Sequence, residues 1–268
     1  MSDMLVKPWT PEDELAKIFS GVRSESLTQE DRLKMALVGD IGVGKSWLAA
    51  TAPKPVVFYD FDDRKESLAG KPGLIIKSRP TMQDVERDLS IAKAAKIQKK
   101  YLPATWVFDS VTFMQRAMEE EIFRQAPDLA RKIKVGPGKD DYFQVRNSWD
   151  AINAIQRYIE YLIAEFSDVG NIIFIFHEKN EKDVVKSTSQ QTAYTGEITV
   201  DPQYLAKSLS LFNEVYRISI TPQGKYECQC RPQWNFGAKT TMLLDKIEEP
   251  DIMAMIKKHQ TLRAKESK

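Results

Sequence analysis

The eight residues from Gly39 to Ser46, with the sequence GDIGVGKS, constrain this chain more than any other segment. They match the pattern G-x-x-x-x-G-K-[ST] in full, directly after the apolar run MALV and before the helix-forming run SWLAATA. A loop of this kind between a strand and a helix turns its backbone N–H groups inward around phosphates, and the helix N-terminus adds partial positive charge. The segment therefore predicts a triphosphate-binding loop.

The residue types of this loop indicate separate tasks. We expect Lys45 to reach the outer phosphates and the hydroxyl of Ser46 to ligate magnesium. The side chains of Asp40 and Ile41 receive no role. The predicted nucleotide-binding segment comprises Gly39, Asp40, Ile41, Gly42, Val43, Gly44, Lys45, Ser46 and Trp47.

Apolar runs alternate with amphipathic segments along the rest of the chain. Strands are predicted at 34–39, 56–60, 74–77, 105–109 and 171–176, and helices at 81–99, 111–124 and 144–166. This alternation is typical of an α/β domain with a mostly parallel central sheet flanked by helices. The runs 214–220 and 225–230 flank the turn TPQG and predict an antiparallel hairpin at the far end of that sheet. We expect a helical preface at 1–33, a core at 34–245 and a helical tail at 246–268.

Overall charge and hydropathy say little about partners. The 39 lysines and arginines nearly cancel the 38 aspartates and glutamates, so any contact with DNA has to be local. The longest apolar runs, 172–176 among them, are far too short to cross a bilayer. We therefore expect a cytoplasmic protein without membrane contact.

Acidic residues follow two of the predicted strands. A magnesium ion at the loop needs a carboxylate at the end of a neighbouring strand, and TWVFDS supplies Asp109. Asp60, Asp62 and Asp63 follow the apolar strand residues 56–59, and this strand should also finish near the phosphates. One of these three either orients the attacking water, or the cluster simply solvates the end of the strand.

A histidine and a glutamate, His177 and Glu178, end the strand at 171–176 at that same edge. His177 either senses the γ-phosphate or caps the strand by hydrogen bonding. The guanine-reading pattern N-K-x-D does not follow any strand, the nearest string being HEKNEKD. ATP is therefore the expected nucleotide.

Two long segments fit neither helix nor strand. Residues 131–143 (RKIKVGPGKDDYF) combine four basic residues with Gly-Pro-Gly, and residues 179–201 are rich in Lys, Ser, Thr, Gln and Glu. Long loops inside a compact domain are commonly functional or mobile.

The order of these motifs resembles the RecA-like ATPases, and more closely the phage nucleotide-binding proteins that include the RecA-like branch of single-strand annealing proteins. The resemblance covers about 34–244. It rests on GDIGVGKS, FYDFDD, TWVFDS, the DYF segment before a long helix, the HE of IFIFHE, and VDPQYLAKSLSLFNEVYRI ahead of the hairpin. It implies a RecA-like P-loop NTPase that uses ATP and Mg²⁺, binds single-stranded DNA and self-associates into a ring or filament.

The resemblance also implies residue roles. The catalytic glutamate of RecA-type enzymes falls on Asp62, which is shorter by one methylene. The nucleotide-sensing polar residue falls on Glu178 or its neighbour His177, where RecA-like recombinases usually carry Asn-Gln. The basic residue that reaches the ATP of a neighbouring subunit falls on Arg231 or Lys239 in RPQWNFGAKTT.

The two DNA-binding loops of RecA-like proteins correspond to about 131–143 and 179–200. Basic side chains could touch phosphates and tyrosines could stack on bases, or both segments are solvated loops without a ligand. The residues concerned are Arg131, Lys132, Lys134, Lys139, Lys179, Lys182 and Lys186 for phosphates, and Tyr142 and Tyr194 for stacking.

Three functions are compatible with these features. The first is an ATPase acting on single-stranded DNA in phage recombination, annealing or replication, with a phage or host single-strand-binding or replication protein as a further partner. The second is a nucleotide-dependent accessory of a replication or packaging factor that never touches DNA. The third is a small-molecule P-loop kinase with RKIKVGPGK as a lid, for which no acceptor site is apparent.

Overall fold

The structure is a computed structural model that describes residues 32–125, 130–133, 142–145, 149–177, 209–233 and 237–266. The chain divides into two units, Met1–Arg32 and Leu33–Lys268. Apart from Arg32, the described residues belong to the second unit. The helical preface expected at 1–33 therefore lies almost entirely outside them.

The described residues form ten strands in chain order. They are β1 (Lys34–Gly39), β2 (Val56–Asp60), β3 (Leu74–Ser78), β4 (Thr105–Asp109), β5 (Ala130–Ile133), β6 (Tyr142–Val145), β7 (Asn171–His177), β8 (Glu214–Ile220), β9 (Tyr226–Gln229) and β10 (Ile247–Glu248).

Eight of these strands form one sheet, in the order β10-β9-β8-β1-β7-β4-β2-β3. The six strands from β8 to β3 in this order pair in parallel, whereas β9 is antiparallel to both β8 and β10. This confirms the mostly parallel sheet and the hairpin at its end. The hairpin continues the sheet because β8 pairs in parallel with β1 on its other side.

Five α-helices accompany the strands in the described ranges. They are α1 (Lys45–Ala49), α2 (Met82–Ile97), α3 (Val111–Gln125), α4 (Trp149–Val169) and α5 (Ile252–Glu266). A capping box begins α2, because Thr81 Oγ1 accepts from the Asp84 N–H and Asp84 Oδ2 accepts from the Thr81 N–H. No helix within these ranges combines the length and the apolar character needed to span a membrane.

Both faces of the sheet are covered by helices. Alternate strand residues such as Tyr59 and Phe108 pack under α2, α3 and α4, where Phe166 is a central contact. Their strand neighbours Phe58 and Val107 face the opposite side and pack with α1 and α5. Successive strand residues point to opposite faces, so strands covered on both sides are apolar throughout. The three-layer arrangement explains why the sequence reads as uninterrupted apolar runs.

The segment between α3 and α4 departs from the prediction. Residues 131–143 were expected to form neither helix nor strand, and a helix was expected from 144. Both expectations are wrong: β5 and β6 pair antiparallel as a separate two-stranded sheet, and α4 begins at Trp149. The run Tyr142–Val145 carries aromatic and β-branched residues that suit a strand, but its partner lies across the Gly-Pro-Gly stretch and is not visible in a local pattern.

Candidate functional site

The phosphate loop links the end of β1 to the start of α1. Gly42 and Gly44 have φ angles of 80° and 88°, a left-handed conformation that glycine adopts without steric cost. Gly39 is required for a different reason, since a Cβ on this residue would lie 2.4 Å from the backbone oxygen of Ile218 in β8. These glycines allow the loop to curl tightly between β1 and α1.

Lys45 is held inside this loop. Only 5% of the residue is exposed, and its Nζ donates to the backbone oxygens of Gly39 at 3.0 Å and Asp40 at 2.6 Å. The same Nζ lies 3.4 Å from Nδ1 of His177. The ammonium group is therefore fixed at the point where the loop leaves the sheet.

Ser46 joins the loop to the predicted magnesium carboxylate. Its Oγ donates to Oδ2 of Asp109 at 2.5 Å, which brings the first turn of α1 to the carboxyl end of β4. Burial raises the pKa of Asp109 to about 6, although the Ser46 hydrogen bond and the charge of Lys45 act in the opposite direction. A hydroxyl and a carboxylate are the oxygen ligands that magnesium prefers, so the pair fits the expected ion.

Asp62 lies beside this pair as a second buried carboxyl group. Its side chain is 6% exposed, and its Oδ2 is 3.4 Å from Nε of Arg64. The pKa of Asp62 is raised to about 7, first by burial, then by a hydrogen bond with Asp60 and by the negative charge of Asp109. A carboxyl group with this pKa can accept a proton near neutral pH.

The other two acids at the end of β2 have different surroundings. Asp60 is buried, and its Oδ1 accepts from the backbone N–H of Arg64 at 3.1 Å. Asp63 forms ion pairs with Arg79 at 2.9 Å and Lys65 at 3.5 Å. These contacts tie Asp63 to the residue that follows β3, whereas Asp60 pairs in register with Asp109 and Asp62 lies close to both.

His177 ends β7 next to the phosphate loop, because it pairs in register with Gly39. Its pKa is lowered to about 4 by burial and then by the positive charges of Lys45 and Arg64. The imidazole is therefore neutral at physiological pH, and its Nδ1 can accept a hydrogen bond from the Lys45 ammonium. Glu178, the alternative sensing residue, lies outside the described residues.

An apolar pocket of about 380 Å³ opens on the other side of the loop. It is lined by Val43, Gly44, Trp47, Ile218, Tyr226 and Pro250. The Tyr226 ring covers Gly44, where an added Cβ would lie 3.4 Å from the ring. Only the loop residues and Trp47 were predicted for nucleotide binding, and the hairpin residue Tyr226 was missed. Its position beside Gly44 depends on how the hairpin packs against the phosphate loop, which no local sequence pattern shows.

Comparison with known proteins identifies the family. A sequence model of a protein family, described as AAA domain, matches residues 31–242 of the chain. The chain belongs to this AAA domain family. No curated protein matches it. Membership establishes an ATPase-type, nucleotide-binding domain of the P-loop class, in agreement with the sheet topology and the predicted loop.

The two residues predicted to act on a neighbouring subunit lie away from the phosphate loop of this AAA domain. Arg231 donates from Nε to the Leu244 oxygen at 2.9 Å, and Lys239 donates from Nζ to the Phe212 oxygen at 2.9 Å. Lys239 also pairs through its backbone with Val215, near the start of β8. The phosphate loop lies at the opposite edge of the sheet, at the carboxyl ends of the parallel strands.

The predicted DNA-binding residues are only partly described. Arg131 and Lys132 belong to β5 and Tyr142 to β6, so these three share one hairpin. The remaining ones lie outside the described residues: Lys134, Lys139, Lys179, Lys182, Lys186 and Tyr194. Contact with DNA thus stays a prediction.

Proposed function

We propose that this AAA domain hydrolyses Mg·ATP and acts on single-stranded DNA, in phage recombination, annealing or replication, as a ring or filament. The observation that carries the nucleotide part is the 2.5 Å hydrogen bond between Ser46 Oγ and Asp109 Oδ2, beside the buried ammonium of Lys45. It gathers a phosphate-binding cation and two oxygen ligands for magnesium within one small site.

Each residue then has a defined task. Lys45 contacts the outer phosphates, and Ser46 and Asp109 hold the magnesium ion, Asp109 partly through water. Bound magnesium supplies charge neutralisation at the phosphate oxygens. Asp62 accepts the proton of the attacking water, since its pKa of about 7 lets it be ionised and still basic at physiological pH. Neutral His177 accepts a hydrogen bond from the Lys45 ammonium at Nδ1.

The apolar pocket is the proposed seat of the nucleotide base. It adjoins Gly44 at the start of α1 and is lined by the aromatic residues Trp47 and Tyr226, which are 51% and 46% exposed. Base stacking on aromatic side chains contributes about 1–3 kcal/mol per base. The phosphates and the base would thus occupy two sides of the same loop.

The DNA part of the proposal is supported by the RecA-like order of motifs and by the basic residues of 131–143 and 179–200. Neither segment is strongly basic overall, but lysines in such loops contact phosphates of a single strand and tyrosine rings stack on its bases. Arg131 and Lys132 in β5 and Tyr142 in β6 lie on two strands that pair antiparallel.

The test is the rate of ATP hydrolysis with and without single-stranded DNA. We expect magnesium-dependent turnover that DNA stimulates and that Lys45→Ala abolishes while the far-UV circular dichroism spectrum stays unchanged. Turnover unaffected by Lys45→Ala would refute the nucleotide site. Stimulation by a replication or packaging protein but not by DNA would instead support the accessory role.

Single-strand binding can be tested separately from hydrolysis. Neutralising Lys179, Lys182 and Lys186 together should weaken binding and reduce the slope of log K against log salt by about 2, because each phosphate contact on a single strand contributes about 0.7. Binding with an unchanged salt slope would exclude this segment as the DNA site.

A further inference from the structure

Arg64 is a cation at the phosphate site to which the motifs assign no role. It directly follows the acids at the end of β2, and its backbone N–H donates to Asp60 Oδ1 at 3.1 Å. This bond fixes the start of the turn, while 59% of the Arg64 side chain is exposed. A dissolved phosphate can therefore reach the guanidinium group.

The Arg64 guanidinium group lies at the carboxyl edge of the sheet. Its Nε lies 3.4 Å from Oδ2 of Asp62. Its positive charge also lowers the pKa of Asp109 at the end of β4 and of His177 at the end of β7. Lys45 acts on these same two groups from the phosphate loop. Both cations therefore act on the side chains at the ends of β4 and β7, and Arg64 itself follows the end of β2.

The ion pair with Asp62 is weak enough to be exchanged. Arginine binds carboxylates most strongly through two parallel hydrogen bonds of about 2.7–2.9 Å, whereas this pair is joined through Nε at 3.4 Å. A pair with one well-exposed partner contributes little to stability. A phosphate group with more negative charge and more acceptor oxygens is the better partner for a guanidinium.

We propose that Arg64 contacts the terminal phosphate of a nucleoside triphosphate bound to its own chain, exchanging its pairing with Asp62 for the phosphate. The exchange leaves Asp62 to the attacking water and gives the site a cation that distinguishes triphosphate from diphosphate. It rests on the proposed function. It differs from the role predicted for Arg231 and Lys239, which would serve a neighbouring subunit.

The experiment compares Mg·ATPγS and Mg·ADP binding by calorimetry in the full chain. Arg64→Ala should weaken ATPγS binding about tenfold, as expected for loss of a charge-assisted hydrogen bond, and change ADP binding by less than about twofold. Arg64→Lys should recover part of the loss. The matched control is Lys65→Ala, which removes the next cation along the chain, paired with Asp63 at 3.5 Å, and should change neither affinity. Equal losses for both nucleotides in Arg64→Ala would overturn the proposal.

A second comparison separates phosphate contact from mere support of Asp62. In an Asp62→Asn background the tenfold preference of Arg64 over Ala for ATPγS should persist, because the contact is with the ligand. If the effect of Arg64→Ala vanishes in that background, Arg64 acts only through Asp62 and the proposal is wrong. Failure of the wild-type chain to bind either nucleotide would refute the proposed function itself, a result distinct from loss of selectivity.

Discussion

Replacing Asp62 by asparagine should stabilise this AAA domain at alkaline pH and leave its stability nearly unchanged at acid pH. The Asp62 carboxyl group is buried, hydrogen-bonded with Asp60 and close to the negative charge of Asp109, and its pKa is raised to about 7. In the unfolded chain the same group has an ordinary pKa of 3.8. Ionisation of Asp62 therefore costs more in the folded state than in the unfolded chain.

The sign and size follow from proton linkage. Between about pH 4 and pH 7 the folded chain holds a proton on Asp62 that the unfolded chain has released, so stability falls as pH rises through this window. A pKa of about 7 against 3.8 corresponds to about 4 kcal/mol at 1.36 kcal/mol per tenfold change. Solvent screening near the exposed Arg64 side chain reduces this, and we expect about 2 kcal/mol. Asparagine carries no charge and avoids that cost.

The measurement is urea unfolding of wild type and Asp62→Asn across pH 4.5 to 8 without nucleotide. The gain in unfolding free energy should grow to about 2 kcal/mol by pH 8, or about 4–8 °C in Tm for a domain of this size. The control is Asp63→Asn, whose carboxylate is paired with Arg79 at 2.9 Å and should yield no such gain. An Asp62→Asn variant no more stable than wild type at pH 8, or equally stabilised at every pH, would refute the reasoning.

Two further predictions concern the hairpin side of the sheet. Tyr226→Ala should weaken Mg·ATP binding, measured by calorimetry, about tenfold, because the ring supplies stacking at the pocket. Tyr226→Phe keeps the ring and should bind like wild type. Undiminished binding by the alanine variant would exclude Tyr226 from the base site. Glu214, 1% exposed, accepts hydrogen bonds from Tyr216, Thr240 and Thr241, so Glu214→Ala should destabilise the fold by about 3 kcal/mol in urea without changing nucleotide affinity. A loss below about 1 kcal/mol would contradict this account.

The parallel core was predictable because its strands are continuous apolar runs with clear ends. The predicted bounds of β1, β2, β4 and β8 agree with the structure. The hairpin of β5 and β6 was not predictable from local patterns, because each strand is only four residues long and its pairing crosses a Gly-Pro-Gly stretch. The helix predicted at 144–166 therefore includes Gln144 and Val145, which belong to β6.

In the site as well, the sequence motifs were predictable, whereas contacts between distant parts of the chain were not. The loop could be predicted from its glycines and Lys45, and the proximity of Asp109 from the rule that parallel strands end at one edge. Arg64 and Tyr226 could not, because their relevance depends on distances across the fold: the Arg64 guanidinium to Asp62, and the Tyr226 ring to Gly44. Sequence patterns identify candidate acids and glycines, but they do not show which side chains lie close together in the folded chain.

The order of strands in the sheet also bears on which ionisable group makes the activity depend on pH. The strands β1, β7, β4 and β2 lie side by side, so His177 stands between the phosphate loop and the carboxyl groups of Asp109 and Asp62. Burial and the charge of Lys45 lower the pKa of His177 to about 4, which keeps the imidazole neutral from pH 6 to 8. The pKa values of Asp109 and Asp62 are raised to about 6 and about 7 instead. A change of activity with pH in the neutral range should therefore arise from Asp62 rather than from His177, and its direction should be a gain as pH rises and Asp62 ionises.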